Sequence, residues 1–499
     1  MSIMKKIKLY ISCLILAVAA SSCDDFLSEV PDNRTQLDSK EKISELLVSA
    51  YSSYSSAPFL ELMSDNVFDC GDVTMTVDYH VDQYSWKLEE RTSQDSPSAF
   101  WDGCYGAIAA ANEALDAIDE MGATNDPAYA ALRGEALVAR AFAHFDLVQI
   151  WSKAYDPATA DSDVGIPYVD TPERELIKLY DRGTVADVYA KIEADLEEGL
   201  GLVSDNYKQP KFHFNKNAAY AFATKFYLAI GKWDKVIEYS NYLTANPKAF
   251  LRDYAAFRQI GLNEKFQEYS RPHYATNLLL ATQVSSYYRY GYSARFWLTG
   301  KDQGTIMGNQ LNPFGKAWLF QGGSFNAQKT YIYPKLGEYF RLDDPSAGTG
   351  LPYVNYVLLS NDEAYLNRLE ALVMENRIEE AIKGLELFLG TRTMGYNEAT
   401  DKLTYARLAQ LTPYVEGELT PFFSMSVEQT VVMKSILEAK RRDFIHEGKR
   451  WFDIKRFNIV VNHKFADGSE IVLEKDDLKR QLPLPLHVVS AGLPDNPRN

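Results

Sequence analysis

Carboxylate and guanidinium side chains alternate near the end of the chain, in a pattern that could do chemistry. Between residues 441 and 456 the acids are Asp443, Glu447 and Asp453, and the arginines are Arg441, Arg442, Arg450 and Arg456. Such carboxylates could act as acids and bases in catalysis. They could also tie the end of the chain to a helical body, since helical spacing allows Asp443 and Glu447 to meet arginines three and six residues away. No histidine–carboxylate pair stands in an apolar setting, so we interpret the cluster as structural.

Aromatic side chains are the second group of residues that could contribute to function. They make up 13% of the chain and include 32 tyrosines, which suggests that some rings lie at the surface. Residues 56–98 are rich in loop-forming residues and combine rings with acids: Tyr79, Tyr84 and Trp86 with Asp65, Asp69, Asp72, Asp78 and Asp82. This stretch could contact a ligand or a cation. It could equally be a solvated connection, and both interpretations stay open.

Residues 250–360 form the longest region without a clear helical period. Glycine, asparagine, proline and aromatic residues alternate in SSYYRYGYSARFW (285–297) and NPFGKAWLFQGGSF (312–325). Loops that carry many rings and polar side chains commonly hold binding residues. We therefore predict that this region is a loop-rich, ligand-facing insertion.

The first 22 residues have the form of a secretion signal. Three lysines precede an apolar run that is too short to be a permanent membrane span. The run ends in Ala20-Ser21-Ser22-Cys23, which resembles a bacterial lipobox and predicts that Cys23 is lipidated, although the commonest lipobox has Leu at the position of Ala20. The alternative is ordinary cleavage near Ser22 with a free Cys23. The acids at 24 and 25 are consistent with sorting to the outer membrane.

The remaining cysteines and the net charge limit which ligands and partners the protein can have. Beyond the leader and Cys23 only Cys70 and Cys104 remain. They could form a disulfide or stay as two unpaired thiols. The absence of a Cys-x-x-Cys motif makes a structural zinc site improbable, and we predict no metal and no cofactor. The formal net charge is −16, and −19 without the three leader lysines, which argues against nucleic acid as a partner.

Paired helices must position these residues. Residues 218–245 show an apolar stripe of helical period, then Gly231, then a second striped helix that ends before Pro247. The same pattern recurs at 100–151 and at 361–390, with a turn at Asn376. These units resemble tetratricopeptide hairpins separated by long insertions. The predicted fold class is mostly α, with tetratricopeptide-like hairpins forming a scaffold, long loop-rich insertions and minor β. An ordinary helical bundle is the alternative.

Several stretches together resemble one family in its own order. They are CDDFL (23–27), FWDGCYGAIAAANEAL, LRGEALVARAFAHFDLVQIW, RGTVADVYAKIEADL, NAAYAFATKFYLAIGKWDKVIEYS, RRDFIHEGKRWFDIKR and LPLPLHVVSAGLPDNP. This combination is similar to the SusD/RagB family of nutrient-binding outer-membrane lipoproteins of Bacteroidetes. Three positions depart from the family pattern: Ala439 and His487 stand where Glu is usual, and Asn376 replaces a usual Gly.

The resemblance implies a single SusD-like body over 23–499, following a leader at 1–22. Its parts would be an N-terminal helical part of about 23–250, the ligand-facing insertion of about 250–360 and a C-terminal helical part of about 361–499. It also implies a lipid-anchored, cell-surface protein without catalysis. Such a protein captures oligosaccharide and passes it to a SusC-like TonB-dependent transporter in the outer membrane.

Sugar recognition needs flat rings for the C–H faces and planar polar groups for the hydroxyls. On this basis the predicted ligand-binding residues are the rings of Trp86, Tyr292, Trp297 and Trp318, with Arg295 and Asn312 as polar partners. Each ring could instead belong to the core. Three other functions stay open: a surface glycoside hydrolase, which needs two carboxylates across a cleft, a binder of peptides or other nutrients, and a structural interaction protein.

Overall fold

Helices dominate the N-terminal half of the described residues, and several of them form hairpins. The computed structural model describes residues 37–71, 77–175, 178, 180–243, 246–325 and 329–498, so the predicted leader and Cys23 lie outside the described residues. In chain order the first elements are α1 (Lys40–Leu47), α2 (Ala57–Leu62), β1 (Phe68–Asp69), α3 (Asp78–Tyr84), α4 (Pro97–Glu120), α5 (Ala130–Trp151), α6 (Val185–Leu200), α7 (Lys216–Ala229) and α8 (Trp233–Asn241).

Small side chains let α4 and α5 pack closely, as the sequence pattern predicts. The buried alanines include Ala107 and Ala111 on α4 and Ala139 and Ala143 on α5. Two further local signals are confirmed. Thr184 and Asp187 form a reciprocal capping box at the start of α6, and Gly231 has a φ of +73° in the turn between α7 and α8.

The region 250–360 contains more regular structure than its sequence predicts. Its elements are α9 (Pro247–Phe250), α10 (Tyr254–Phe257), α11 (Leu262–Glu268), β2 (Asn277–Val284), α12 (Tyr287–Tyr290), β3 (Phe296–Trp297), α13 (Gln303–Met307), β4 (Gly323–Phe325), β5 (Thr330–Ile332), β6 (Glu338–Asp344) and β7 (Thr349–Ser360). Strands β2, β7 and β6 form an antiparallel sheet in that order. β1 pairs with β3 and so joins residues 68–69 to the insertion.

The C-terminal part returns to helical hairpins. It comprises α14 (Asn361–Met374), α15 (Ile378–Gly390), α16 (Tyr405–Leu411), α17 (Val427–Asp443), α18 (Arg450–Arg456), β8 (Val461–Lys464), β9 (Glu470–Leu473) and α19 (Leu486–Ser490). Asn376 takes the left-handed conformation, with a φ of +57°, in the turn between α14 and α15. A core shared by α14, α15 and α17 includes Leu369, Leu385 and Ile436. The predicted fold class is confirmed: mostly α, with helical hairpins and small sheets.

The charged cluster at the end of the chain is a structural network. Arg392, which is fully buried, donates to Asp443 at 3.0 Å and to Asp362 at 2.5 Å. Arg450 binds Asp65 through two hydrogen bonds of 2.9 Å. These bonds tie α18 and α17 to distant parts of the chain, as the structural interpretation predicts.

The partners of two acids in this cluster differ from the expected ones. Asp443 pairs with Arg392 on another element, and Glu447 accepts a hydrogen bond of 2.7 Å from Lys335. The expected spacing of three residues holds between Asp453 and Arg456, whose charged atoms are 2.9 Å apart. The expectation for Asp443 and Glu447 is corrected because α17 ends at residue 443, so the helical spacing does not continue through 447.

The two remaining cysteines are unpaired thiols. Cys104 is buried and Cys70 is half-buried. Burial raises the pKa of the Cys70 thiol to about 12 and that of Cys104 well above its ordinary value. Across the described ranges no cluster of three or more His, Cys, Asp or Glu side chains is arranged to hold a metal ion. Within the same ranges, no helix is both long and apolar enough to pass through a membrane.

Candidate functional site

A group of half-buried rings from three separate segments forms the candidate site. Its members are Tyr79 from α3, Tyr288 and Tyr290 from α12, Tyr292 just after α12, and Phe325 from β4. We call this group the tyrosine surface. It brings together the aromatic loop at 56–98 and the predicted insertion, which are about two hundred residues apart in the chain.

Contacts with the buried Trp297 fix the position of α12. Tyr287 points inward and is buried, and its ring centroid is 4.8 Å from that of Trp297. Gly291 follows α12, and a Cβ atom at this position would come within 2.8 Å of Trp297. The turn therefore lies directly on the indole, and this leaves Tyr288, Tyr290 and Tyr292 at the half-buried outer side.

Tyr79 joins the loop of α3 to the insertion. Its hydroxyl donates to the hydroxyl of Tyr290 at 2.7 Å. The His80 ring stands edge-on to Tyr290 with centroids 4.9 Å apart. Burial, aided by the charge of Arg91, lowers the pKa of His80 to about 3, so this ring is neutral at ordinary pH. Arg91 covers the Tyr79 ring, with its guanidinium carbon 3.6 Å from the ring centroid.

Asp95 fixes the approach of the same loop to α12. Its carboxylate accepts hydrogen bonds from the backbone N–H of Ser286 at 2.8 Å and from the Ser286 hydroxyl at 3.0 Å. Burial raises the pKa of this carboxyl, while the bonds from Ser285 and Ser286 oppose the rise. Hydrogen bonds at Ser286 and at the Tyr290 hydroxyl thus join the two segments.

Two arginines beside the rings are held by carboxylates. Arg295 donates to Asp69 through two hydrogen bonds of 2.8 and 2.7 Å, and its side chain is 29% exposed. Burial would raise the pKa of Asp69, but the bonds from Arg295 and from backbone N–H groups lower it overall. Arg289 pairs with Glu338 in the same two-bonded manner. Such fixed guanidinium groups can still offer their outer N–H groups to a ligand.

The rings pack edge to face and share their hydroxyls. Tyr292 stands edge-on to Phe325 with centroids 4.6 Å apart, and its hydroxyl bonds that of Tyr288. Burial and hydrogen bonding raise the pKa values of Tyr79 and Tyr288, so both hydroxyls stay protonated. The tyrosine surface therefore combines apolar ring faces with neutral hydroxyls and cationic N–H donors. This combination can bind the C–H faces and hydroxyl groups of a neutral polar molecule.

One of the six predicted ligand-binding residues, Tyr292, belongs to the tyrosine surface. Arg295 lies three residues further along the chain and pairs with Asp69. The other four are in the interior: Trp86 is 3% exposed, Trp297 2%, Trp318 5% and Asn312 fully buried. Their role in binding stays a prediction, and their burial argues against it because these rings offer no free face.

Each of the buried four has an internal partner. The indole nitrogens of Trp86, Trp297 and Trp318 donate to the carbonyls of Met63, Tyr331 and Gly308 at 2.9, 3.1 and 3.1 Å. The Asn312 side chain donates to the Thr393 hydroxyl at 3.0 Å. The expectation of surface indoles is corrected in this respect, since the rings are bonded and packed within the core. The predicted ligand-binding set lacks Tyr79, Tyr288 and Tyr290. Tyr79 stands in the aromatic stretch 56–98 that could contact a ligand, and the dense SSYYRYGY stretch was a signal for the other two.

Solved structures of other proteins share this overall architecture. A SusD superfamily protein from Bacteroides fragilis matches with a TM-score of 0.65 at 16% identity, covering 92% of this chain and 99% of the other. A SusD-like carbohydrate-binding protein from Bacteroides vulgatus matches with a TM-score of 0.63 at 16% identity, covering 90% and 96%. The chain therefore shares its fold with these two proteins.

Sequence comparison agrees with the fold. Residues 25–228 match the SusD-like family model described as starch-binding associating with outer membrane. SusD-like protein P2 of Formosa agariphila is 23% identical over 415 residues, which cover 78% of this chain and 77% of the relative. The chain is therefore similar to SusD-like proteins in sequence as well as in fold.

Proposed function

We propose that this protein binds oligosaccharide at the cell surface through the tyrosine surface and delivers it to a SusC-like TonB-dependent transporter. The observation that carries the proposal is that half-buried rings of separate segments meet here: Tyr79 contacts Tyr290, and Phe325 contacts Tyr292. Rings in such a position are costly to leave partly in water unless a ligand covers them. A pyranose ring fits them because its C–H groups pack on aromatic faces.

The polar groups around the rings suit hydroxyl recognition. Neutral tyrosine hydroxyls can both donate and accept hydrogen bonds, and the exposed guanidinium of Arg289 can donate further ones. Because Asp69 and Glu338 already pair with Arg295 and Arg289, the local charge is largely balanced. The tyrosine surface on its own therefore favours an uncharged saccharide over a strongly charged one.

Absence of catalysis is part of the proposal. Hydrolysis of a glycosidic bond needs two carboxyl groups that are available on opposite sides of the bond. Beside the rings, Asp69, Asp95 and Glu338 are engaged in holding Arg295, Ser286 and Arg289. These acids support the surface, so we assign the protein to capture and not to bond cleavage.

Anchoring and delivery complete the proposal. The family model that matches residues 25–228 is described as associating with the outer membrane, and the sequence predicts a lipidated Cys23 after a secretion signal. A lipid at this position would keep the body at the membrane, where a transporter can receive the ligand.

The decisive experiment is a binding measurement on the chain from residue 24 onward, which contains the whole compact unit 40–499. A glycan array identifies the saccharide, and calorimetry then compares Tyr292→Ala with the unchanged protein. Loss of the ring should weaken binding by about 1–2 kcal/mol, roughly five- to thirtyfold in Kd. Tyr242→Ala is the matched control, because Tyr242 is 60% exposed and packs on Tyr220 outside the tyrosine surface.

Two results would overturn the proposal. The first is an array on which no saccharide binds, or a saccharide whose affinity is the same in Tyr292→Ala and Tyr242→Ala. The second is the release of reducing ends during incubation with the bound glycan, which would place the protein among glycoside hydrolases.

A further inference from the structure

A cleft of about 910 Å³ lies apart from the tyrosine surface, between the segment 248–255 and the end of α15 with its following loop. Its wall includes Leu251, Leu387 and the half-buried ring of Tyr396. Charged and polar side chains outnumber aliphatic ones in the lining, and a space of this size can hold a polar ligand. None of the six predicted ligand-binding residues lines it.

Arg252 lies in the wall of this cleft with part of its hydrogen-bonding capacity unused. It is 2% exposed, and its Nη2 atom donates to Asn277 at 2.7 Å. Its Nε and Nη1 atoms find no acceptor in the parts of the chain that the structure describes. The face of the guanidinium is covered by Tyr269, at 3.8 Å from the ring centroid, so further hydrogen bonds can form only at the edge.

The nearby carboxylate does not neutralise this arginine directly. Asp362 accepts a hydrogen bond from the backbone N–H of Arg252 at 3.0 Å. Its carboxylate is occupied by the side chains of Arg392, at 2.5 Å, and Thr276. A buried guanidinium without a direct carboxylate partner is costly, and an anionic group bound in the cleft would offset that cost.

The remaining charges of the wall favour an anion. The acids are already engaged: Glu398 with Lys248 at 3.2 Å, Glu386 with Lys402 at 3.5 Å, and Asp253 with the backbone N–H of Ala256 at 2.9 Å. Lys383 is exposed on the same wall and makes no ion pair within the described ranges. Arg252 and Lys383 then stand against the single charge of Asp253, which no cation pairs within the described residues, so the wall keeps an excess of positive charge.

We propose that this cleft is a second saccharide site, which takes a sugar bearing a carboxylate or sulfate group. The acidic group would accept hydrogen bonds from the edge of Arg252, Lys383 would add charge attraction, and Tyr396 would offer a ring to the sugar. The overall negative charge of the chain does not oppose this, because the local field at a cleft is set by the nearest charges. The site does not depend on the tyrosine surface.

The test uses the chain from residue 24 onward and calorimetry with four probes: digalacturonate, a sulfated chondroitin disaccharide, maltose and sodium sulfate. At least one acidic disaccharide should bind at low salt. Its affinity should fall roughly tenfold or more in Arg252→Gln, because a hydrogen bond to a charged group is lost. Lys383→Glu should weaken binding as well, and Lys464→Glu, an exposed lysine outside the cleft, is the matched control.

The other outcomes decide against the proposal. Failure of both acidic disaccharides to bind overturns it, as does binding that neither cleft variant changes. Sodium sulfate binding as tightly as the disaccharides would show an anion site only. Should Arg252→Gln not fold, Lys383→Glu and Tyr396→Ala decide the result. Tyr292→Ala should leave this binding unchanged, so the two sites can fail independently.

Discussion

Trp297 packs against α12 and the turn that follows it, through Tyr287 and Gly291. Its side chain is almost fully buried and bonds the Tyr331 carbonyl. We expect Trp297→Ala to lower the free energy of unfolding by about 3–5 kcal/mol, since a large core side chain is removed. Denaturant unfolding followed by circular dichroism measures the change.

The control for this prediction is Phe340→Ala. Phe340 is 56% exposed, and substitution of such a residue should change stability by no more than about 0.5 kcal/mol. Equal stability of Trp297→Ala and the unchanged protein would show that the indole does not support the tyrosine surface.

His80 makes stability depend on pH. Its pKa is about 3 in the folded protein and about 6.5 in the unfolded chain. Between these values the unfolded state binds more protons, so stability should fall as the pH is lowered from 6.5 towards 3. In His80→Phe the slope of the unfolding free energy against pH should be smaller by up to ~1.4 kcal/mol per pH unit. Parallel curves for the two proteins would contradict this assignment.

At the scale of single residues, burial was the property that sequence could not predict. Trp318 and Tyr292 stand in similar aromatic stretches, but one is 5% exposed and the other half-buried. Which ring faces outward depends on contacts with distant elements, such as the packing of Tyr287 on Trp297. The type of an aromatic residue and its spacing in the sequence do not reveal those contacts.

The turn from α17 to α18 requires a glycine. Gly448 has a φ of +71°, and a Cβ atom there would lie 2.7 Å from the backbone of Ala57. Gly417 has a similar φ of +70° but nothing within 4 Å of that position. Gly417→Ala should therefore cost about 1 kcal/mol through backbone strain alone.

The matching substitution Gly448→Ala should cost clearly more than Gly417→Ala, because the backbone of α2 cannot move aside. Thermal unfolding of the two variants side by side measures the difference. Equal unfolding temperatures for the two variants would mean that the turn at Gly448 can move, and that its close approach to Ala57 does not affect stability.

At the scale of elements, periodicity predicted the long hairpins well. The helices α7, α8, α14 and α15 begin and end within a few residues of the expected positions, because their apolar stripes and turn residues are local signals. The sheet of β2, β7 and β6 escaped prediction. β2 pairs with β7 across some seventy to eighty positions, and pairing at that distance leaves no local signal in the sequence.

The whole molecule is expected to reside at the outer membrane through Cys23. Cys23→Ala should release the protein from the membrane fraction and abolish its labelling by radioactive palmitate, because the acyl chains are attached at this residue. Cys13→Ala is the control, since this cysteine lies within the leader and should leave localisation unchanged. Membrane retention of Cys23→Ala would contradict the proposed anchor.

Cys70 and Cys104 are free thiols within the folded body, and their raised pKa values keep them in the unreactive protonated form. The body therefore reaches its final shape without an oxidoreductase. A version without the leader can be produced in the reducing cytosol of an ordinary bacterial host, and reducing agents in its storage buffer should do it no harm.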